Sequence, residues 1–375
     1  MPPLPPPSAT PRTVLTLCAG GAPRDPHERA TQVWIAQRLA ALTGWEFGGE
    51  YDPQRLLGAA SPYFVPDATL TTAQAARLGI EGEHDLFGGV VPHAFVADKV
   101  ITHPLPAADS YAPEGWDPAL AQRLAGAVLP GFSVFDREEI EAAGLQLLAL
   151  GGPIRLKQAQ ARGGHGQQLV ADAAALHAAV AALDPEAVRR HGVVLEQHLE
   201  RATTCSVGGI RVAGLHLSYL GTQHQTTSRD GAEVYAGSCL RVVRGGLEAL
   251  DALARDPVER TALRHAQRYE AAVEATHPGF FASRRNYDVV AGYDAAGRWR
   301  CGVLEQSWRP GGASPAEIAA LAMFLAPDPP RTLEVSCHES HDPAHPPPAH
   351  AQVHYHDPSA PHGPVLKYAV VTSPA

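Results

Sequence analysis

The sequence predicts a mixed α+β and α/β chain built from a small βαβ-type N-terminal lobe followed by two α+β lobes. Three observations carry that reading. Strand-like and amphipathic runs alternate through residues 13–91, a strand-like run ending in Lys157 leads into a glycine-rich turn, and Phe280 to Gly312 reads as a polar β-hairpin. At 375 residues the chain is long for one compact domain and has ample material for a core.

The elements follow in order. Residues 1–12 form a proline-rich tail expected to be flexible, without the apolar centre of a signal peptide. The N-terminal lobe, 13–91, opens with a strand at Val14 to Leu17 and a Gly-Gly turn. A helix follows whose apolar stripe is Ala30, Val33, Trp34, Leu39 and Leu42, then a strand at Tyr63 to Val65 and a helix at Ala73 to Leu78. Asp25, Pro26 and Glu28 are helix-start residues.

The second lobe, 92–195, contains Lys99 and a helix opened by Asp136, with Glu139 completing a capping box. A strand over 153–157, the turn at Gly163, Gly164, His165 and Gly166, a short strand and an alanine-rich helix over 172–183 complete it. A glycine loop on a small lobe can close over a ligand and exclude water, so this lobe reads as a lid.

The third lobe, 196–330, is strand-rich from Ser206 to Tyr219 and from Tyr235 to Val243. A helix from Pro257 to Thr276 precedes the hairpin, and Ser314, Pro315 and Glu317 suit the N-cap, N1 and N3 positions of a further helix. The polar run Gly221 to Asp230 reads as a loop, offering His224 and Arg229 as substrate contacts. Residues 331–375, rich in His and Pro, read as a flexible connector between short strands near Leu333 to Val335 and Leu366 to Val371.

Only three of the thirty basic residues are lysines: Lys99, Lys157 and Lys367. Arginine is the general surface cation here, so a lysine beside a glycine turn suggests a compact, mobile ammonium for a nucleotide phosphate. The loop's backbone N–H groups can close over phosphate oxygens. No GKS, GKT or GxGxxG occurs, so P-loop and Rossmann readings fit poorly.

In the hairpin, a turn centred between Ala295 and Ala296 would set Asp288 opposite Val303, Asn286 opposite Glu305 and Arg284 opposite Ser307. Alternation would then gather Arg284, Asn286, Asp288, Glu305, Ser307 and Arg309 on one polar face. Mg2+ favours hard oxygen ligands and takes one or two carboxylates plus substrate phosphates. Asp288 and Glu305 are the chosen carboxylates and Ser307 the added ligand, while Arg309 and Arg284 would stabilise charge on a transferring phosphoryl group.

A formal net charge of −9 and the absence of a Lys/Arg run argue against a nucleic-acid surface. No apolar stretch approaches the roughly 20 residues needed to span a bilayer, and a cytoplasmic location is expected. Cys18, Cys205, Cys239, Cys301 and Cys337 lack CxxC spacing and read as buried thiols.

Taken together, the ordered motifs over roughly residues 90 to 325 resemble the ATP-grasp superfamily, with two α+β lobes sandwiching ATP. Ala97-Asp98-Lys99 is similar to its first lysine motif, Lys157 to its second, and Gly163, Gly164, His165 and Gly166 to its loop. The run Val193 to Leu199 resembles the adenine-reading hinge, placing Glu196, Gln197, His198 and Leu199 at the nucleotide, with Glu200 substituting for a ribose-binding acid. Asp288 resembles the first metal carboxylate and Glu305-Gln306-Ser307-Trp308-Arg309 the E-x-N-x-R strand, with Ser307 where Asn is usual. FFASRRNYD with LEQSWRPGGAS also resembles an uncharacterised bacterial family assigned to this superfamily.

The resemblance implies ATP and Mg2+, with Mn2+ as a substitute, and a ligase that activates a carboxylate as an acyl phosphate for attack by an amine or other nucleophile. A small-molecule kinase and a nucleotide-binding module without turnover are the alternatives. The partner would be a small-molecule substrate, with no membrane or nucleic acid, and a homo-oligomer stays open.

Overall fold

The computed structural model describes residues 11–20, 25–54, 60–160, 166–227, 233–341, 346–360 and 365–374. Gly163, Gly164, His165 and Arg229 lie outside them, as does most of the proline-rich tail.

The N-terminal layer is a parallel sheet with Arg12–Leu17 between Glu46–Glu50 and Ser61–Pro66. Its helix, Pro26–Thr43, buries Gln32, Ile35, Ala36, Leu39, Ala40 and Thr43. The expected stripe is therefore corrected: of its members only Leu39 is fully buried, while Ala30, Val33, Trp34 and Leu42 flank the contact. The buried face turns on Gln32, whose Nε2 donates to Leu17 O (3.1 Å) and Val65 O (2.8 Å), a contact that apolar periodicity cannot register.

A four-stranded antiparallel sheet forms the second lobe, in the order Gly131–Val134, Val193–Gln197, Ile154–Gln158, Gln167–Val170. Helices Arg137–Leu148, Ala173–Ala181 and Pro185–His191 cover one face through a cluster including Ile140, Leu147, Leu156, Leu176 and Leu195. Asp136 caps its helix by accepting from Glu138 N at 3.0 Å. The expected capping box does not close, since Glu139 Oε2 has no hydrogen-bond partner.

Eight strands make the large sheet, and both hairpin strands, Arg284–Tyr293 and Trp299–Ser307, lie at one edge. The run expected as one strand folds at Ala213 and Gly214, both in the left-handed region, into Glu200–Val212 and Leu215–Thr227. The expected loop from Gly221 is thus strand as far as Thr227. The C-terminal segment is also corrected: Thr332–Ser340, Gln352–Asp357 and Val365–Pro374 pair into this same sheet.

Helix Pro257–Thr276 packs on one face of the large sheet, beside Tyr287, Val289 and Val303. Helix Ser314–Phe324 and the N-terminal helix cover the other, beside Ile210, Leu217, Leu240 and Val335. Ser314 does not cap its helix: Ala313 stands at the N-cap, and Glu317 is drawn inward to Arg284. Among the described residues no helix is long and apolar enough to cross a membrane.

Candidate functional site

The site is assembled on the hairpin. Asp294 O accepts from Gly297 N (2.8 Å), and its side chain accepts from Ala296 N (3.1 Å) and Arg298 N (2.9 Å). Gly297, at φ 74°, supplies the left-handed residue that closes the turn. The ladder then runs from Tyr293 opposite Trp299 to Val289 opposite Val303, one residue out of step with the expected register.

A bulge restores the polar face. Leu304 is the extra residue, so Asp288 pairs with Glu305 and Asn286 with Ser307. The expected partners were wrong by two positions, yet a slip of two preserves the face. Without the bulge Leu304 would face Asp288, and Glu305 would point to the opposite side.

Asp288 Oδ1 accepts from Asn286 Nδ2 (2.7 Å) and Gln223 Nε2 (2.6 Å). Gln223 also donates to Ser206 Oγ (2.9 Å), tying three adjacent strands together around that oxygen. Burial first, and then the negative charge of Glu305, push the Asp288 carboxyl up to about 6.

Lys99 Nζ lies 3.0 Å from Glu305 Oε2 and is buried. It sits on the one-turn 3-10 helix Lys99–Thr102. Gln306 fastens that turn to the hairpin: its Nε2 donates to Val96 O and Asp98 O, both at 3.0 Å, and its Oε1 accepts from Tyr269 Oη at 3.0 Å. Sequence reasoning assigned Gln306 nothing, because its amide matters only through Val96, Asp98 and Tyr269, none of them near it in the chain.

Arg284 does not suit the role expected of it. It is 1 % exposed, and its guanidinium is occupied by Glu317 (2.9 Å), Ser307 O (3.0 Å), Ser307 Oγ (3.1 Å) and Arg309 O (2.8 Å). A cation buried and enclosed this way organises its neighbours instead of reaching out to a transferring phosphoryl group. Glu317 Oε1 also accepts from Tyr219 Oη (2.7 Å), which lies 2.9 Å from Asn286 Oδ1. Arg309 is half-buried, with Nη1 donating to Pro310 O (2.7 Å).

In the second lobe Lys157 pairs with Glu196 Oε1, and His103 Nε2 meets Glu196 Oε2 at 3.3 Å. All three side chains are buried. Burial alone would raise the Glu196 carboxyl, but Lys157 and His103 outweigh it and hold the group down at about 2.

Alternation along Val193–Gln197 puts Glu196 on the Lys157 face and sends Gln197 to the helix-covered face with Leu195. His198 Nδ1 accepts from Arg155 Nε (3.2 Å), Leu199 packs with Leu129 and Val290, and Glu200 is exposed opposite Tyr293. Gly166 takes φ 63° at the described end of the glycine turn. His224 is separated from the carboxylate pair: strand alternation sends Gln223 to the Asp288 face and His224 to the other, where Nε2 lies 3.3 Å from Cys239 Sγ.

The donor set suits Mg2+. Burial and the Glu305 charge raise the cost of ionising Asp288, and a divalent cation bound there would relieve it. Among the described residues no group of three or more His, Cys, Asp or Glu side chains forms a metal site, so such an ion would draw its remaining ligands from phosphate and water.

Residues 16–369 match the family described as "Protein of unknown function (DUF3182)". No curated protein matches the chain. Among solved structures, it is similar to N5-carboxyaminoimidazole synthetase from Staphylococcus aureus complexed with ADP, at 13% identity and a TM-score of 0.57, covering 97% of this chain and 94% of that one. The biotin carboxylase domain of Hydrogenobacter thermophilus 2-oxoglutarate carboxylase gives 13% identity, a TM-score of 0.54, and coverage of 97% and 86%. VanG D-Ala:D-Ser ligase from Enterococcus faecalis gives 13% identity, a TM-score of 0.50, and coverage of 84% and 98%. These likenesses establish the fold, which is that of the ATP-grasp proteins.

Proposed function

Because the chain belongs to the DUF3182 family and has the ATP-grasp fold, we propose that it is an ATP- and Mg2+-dependent ligase that phosphorylates a carboxylate and passes the acyl phosphate to an amine or other nucleophile. The observation that carries this reading is the cross-strand pair Asp288 and Glu305 with Lys99 at 3.0 Å from the latter. Two carboxylates on a partly buried sheet face, with the ammonium of the neighbouring turn beside them, suit a metal-bound polyphosphate.

In this reading Asp288 and Glu305 hold Mg2+, which would neutralise phosphate charge when bound. Lys99, on the turn beside the hairpin, and Lys157, on the sheet of the second lobe, meet phosphate oxygens. The segment from Glu196 to Glu200 lines the nucleoside, Gln197 through its backbone. Arg309, at the end of the hairpin, is the cation left to meet the transferring group, and Ser307 adds an oxygen to the metal's surroundings. Arg284 keeps Ser307 and the Arg309 backbone in place.

Isothermal titration with a non-hydrolysable ATP analogue, with and without Mg2+, tests the proposal. Mg2+-dependent binding that weakens in Asp288→Asn/Glu305→Gln is the expected result, followed by acceptor-dependent ADP release. Absence of binding by the folded protein overturns it.

A further inference from the structure

A polar path connects the metal carboxylates of one lobe to the lysine of the other, through a residue that no motif singles out. At one end Lys99 contacts Glu305 (3.0 Å). The 3-10 turn Lys99–Thr102 leads directly into His103, whose Nε2 lies 3.3 Å from Glu196 Oε2, while Glu196 Oε1 holds Lys157. The turn thus carries a contact to each lobe at its two ends.

His103 is completely buried. An ionised carboxylate only accepts, so Nε2 carries the proton in this contact. Nδ1 has no hydrogen-bond partner, and it faces Gly131, where a Cβ would lie 2.7 Å from it. An apolar side chain would fill that space without the cost of an unsatisfied polar atom. The imidazole's return is its hold on Glu196.

Lys157 alone would leave Glu196 one fixed oxygen and freedom to rotate about its terminal torsion. With Oε2 held by His103, Oε1 has a defined direction, and so has the ammonium beside it. We infer that His103 is a positioning residue: through Glu196 it aims Lys157 at the nucleotide phosphates and sets that lysine in register with Lys99 and the metal carboxylates. The assignment rests on the nucleotide reading above for what Lys157 binds, though not for how it is held.

The lysine count supplies a direct test. Labelling lysine at 13Cε and 15Nζ gives one side-chain signal each from Lys99, Lys157 and Lys367, assigned with single Lys→Arg variants. The variants are His103→Phe, which keeps a ring without a donor, His103→Asn, which keeps polarity without the reach, and His103→Gln, which keeps a donor near the Nε2 position.

With no nucleotide present, His103→Phe and His103→Asn are expected to shift or broaden the Lys157 signal, leaving Lys367 unmoved, and His103→Gln to restore it. If nucleotide binds, the first two should weaken it by about tenfold, the loss for one charge-assisted hydrogen bond, and the Gln variant by much less. An unchanged Lys157 signal in whichever of the Phe and Asn variants folds overturns the inference. A Lys157 signal that follows His103 in a protein without nucleotide affinity sustains the positioning and overturns the function proposed above.

Discussion

Asp288 and Glu305 face each other across the hairpin because Leu304 bulges out between Val303 and Glu305. The pair is brought together at a cost, since burial and mutual repulsion both oppose ionisation of Asp288. That cost should be visible in stability measurements, and a bound cation would relieve it.

Asp288→Asn is expected to stabilise the metal-free protein at neutral pH. With the folded carboxyl at about 6, above its ordinary value of 3.8, the folded state binds more protons across that interval, and stability falls as pH rises through it. The gain at pH 7 should be of order 1–3 kcal/mol, measured in EDTA by denaturant titration. Below pH 4 the two proteins should converge, and Mg2+ with nucleotide should reverse their order. A variant weaker than the parent at pH 7 in EDTA would refute the assignment.

Lys157→Met should separate architecture from ligand binding. Removing the lysine leaves Glu196 buried with too little positive charge, a loss of about 3–5 kcal/mol, and Lys157→Met/Glu196→Gln should recover most of it. Neither variant should recover nucleotide affinity. Because the Glu196 carboxyl is held at about 2, below its ordinary 4.5, the pair's contribution is full above pH 4.5 and is lost as pH falls towards 2. Urea midpoints across that range, with calorimetric titration at pH 7, check both halves.

The sequence disclosed most where local chemistry acts alone. Helix Pro257–Thr276 was read with its observed ends, for Asp256 caps it by accepting from Glu259 N (2.9 Å) and Pro257 opens it. The hairpin's polar face survived a wrong register only because the error was an even number of residues. The Leu304 bulge reflects the turn closed by Asp294 and Gly297 together with pairing on both sides, which strand propensity does not encode. Gln306, His103 and Glu317 act through distant partners, and an isolated Gln or His in a strand or turn carries no mark of them. The C-terminal strands were understated because His and Pro dominate the composition while pairing to the large sheet decides the structure.

The seam between the first helix and the C-terminal strands should loosen in acid. Burial, and then Lys367, press the His354 imidazole down to about 3 from 6.5, while Nδ1 contacts Thr31 Oγ1 (3.1 Å) and the ring tilts on Trp34 (5.3 Å). The folded state therefore binds fewer protons between those values, and stability falls as pH drops below 6.5, by at most about 1.4 kcal/mol per pH unit. His354→Gln should flatten that slope. Trp34 fluorescence, with the other tryptophans replaced by Phe, follows the seam directly, and an identical pH profile for parent and variant would contradict the claim.

The network behind Asp288 divides into a part that holds the fold and a part that aims the carboxylate. Glu317→Leu leaves the enclosed Arg284 guanidinium uncompensated, which should cost about 3–5 kcal/mol and be largely repaired by adding Arg284→Met. Tyr219→Phe removes only the hydroxyl between Glu317 and Asn286, a loss of about 1 kcal/mol. Its effect on Mg2+-dependent binding should be disproportionate, because Asn286 then loses the contact that turns its Nδ2 towards Asp288 Oδ1. A Tyr219→Phe protein with parental affinity for Mg2+ and nucleotide would show that Gln223 alone, at 2.6 Å, suffices to orient the carboxylate.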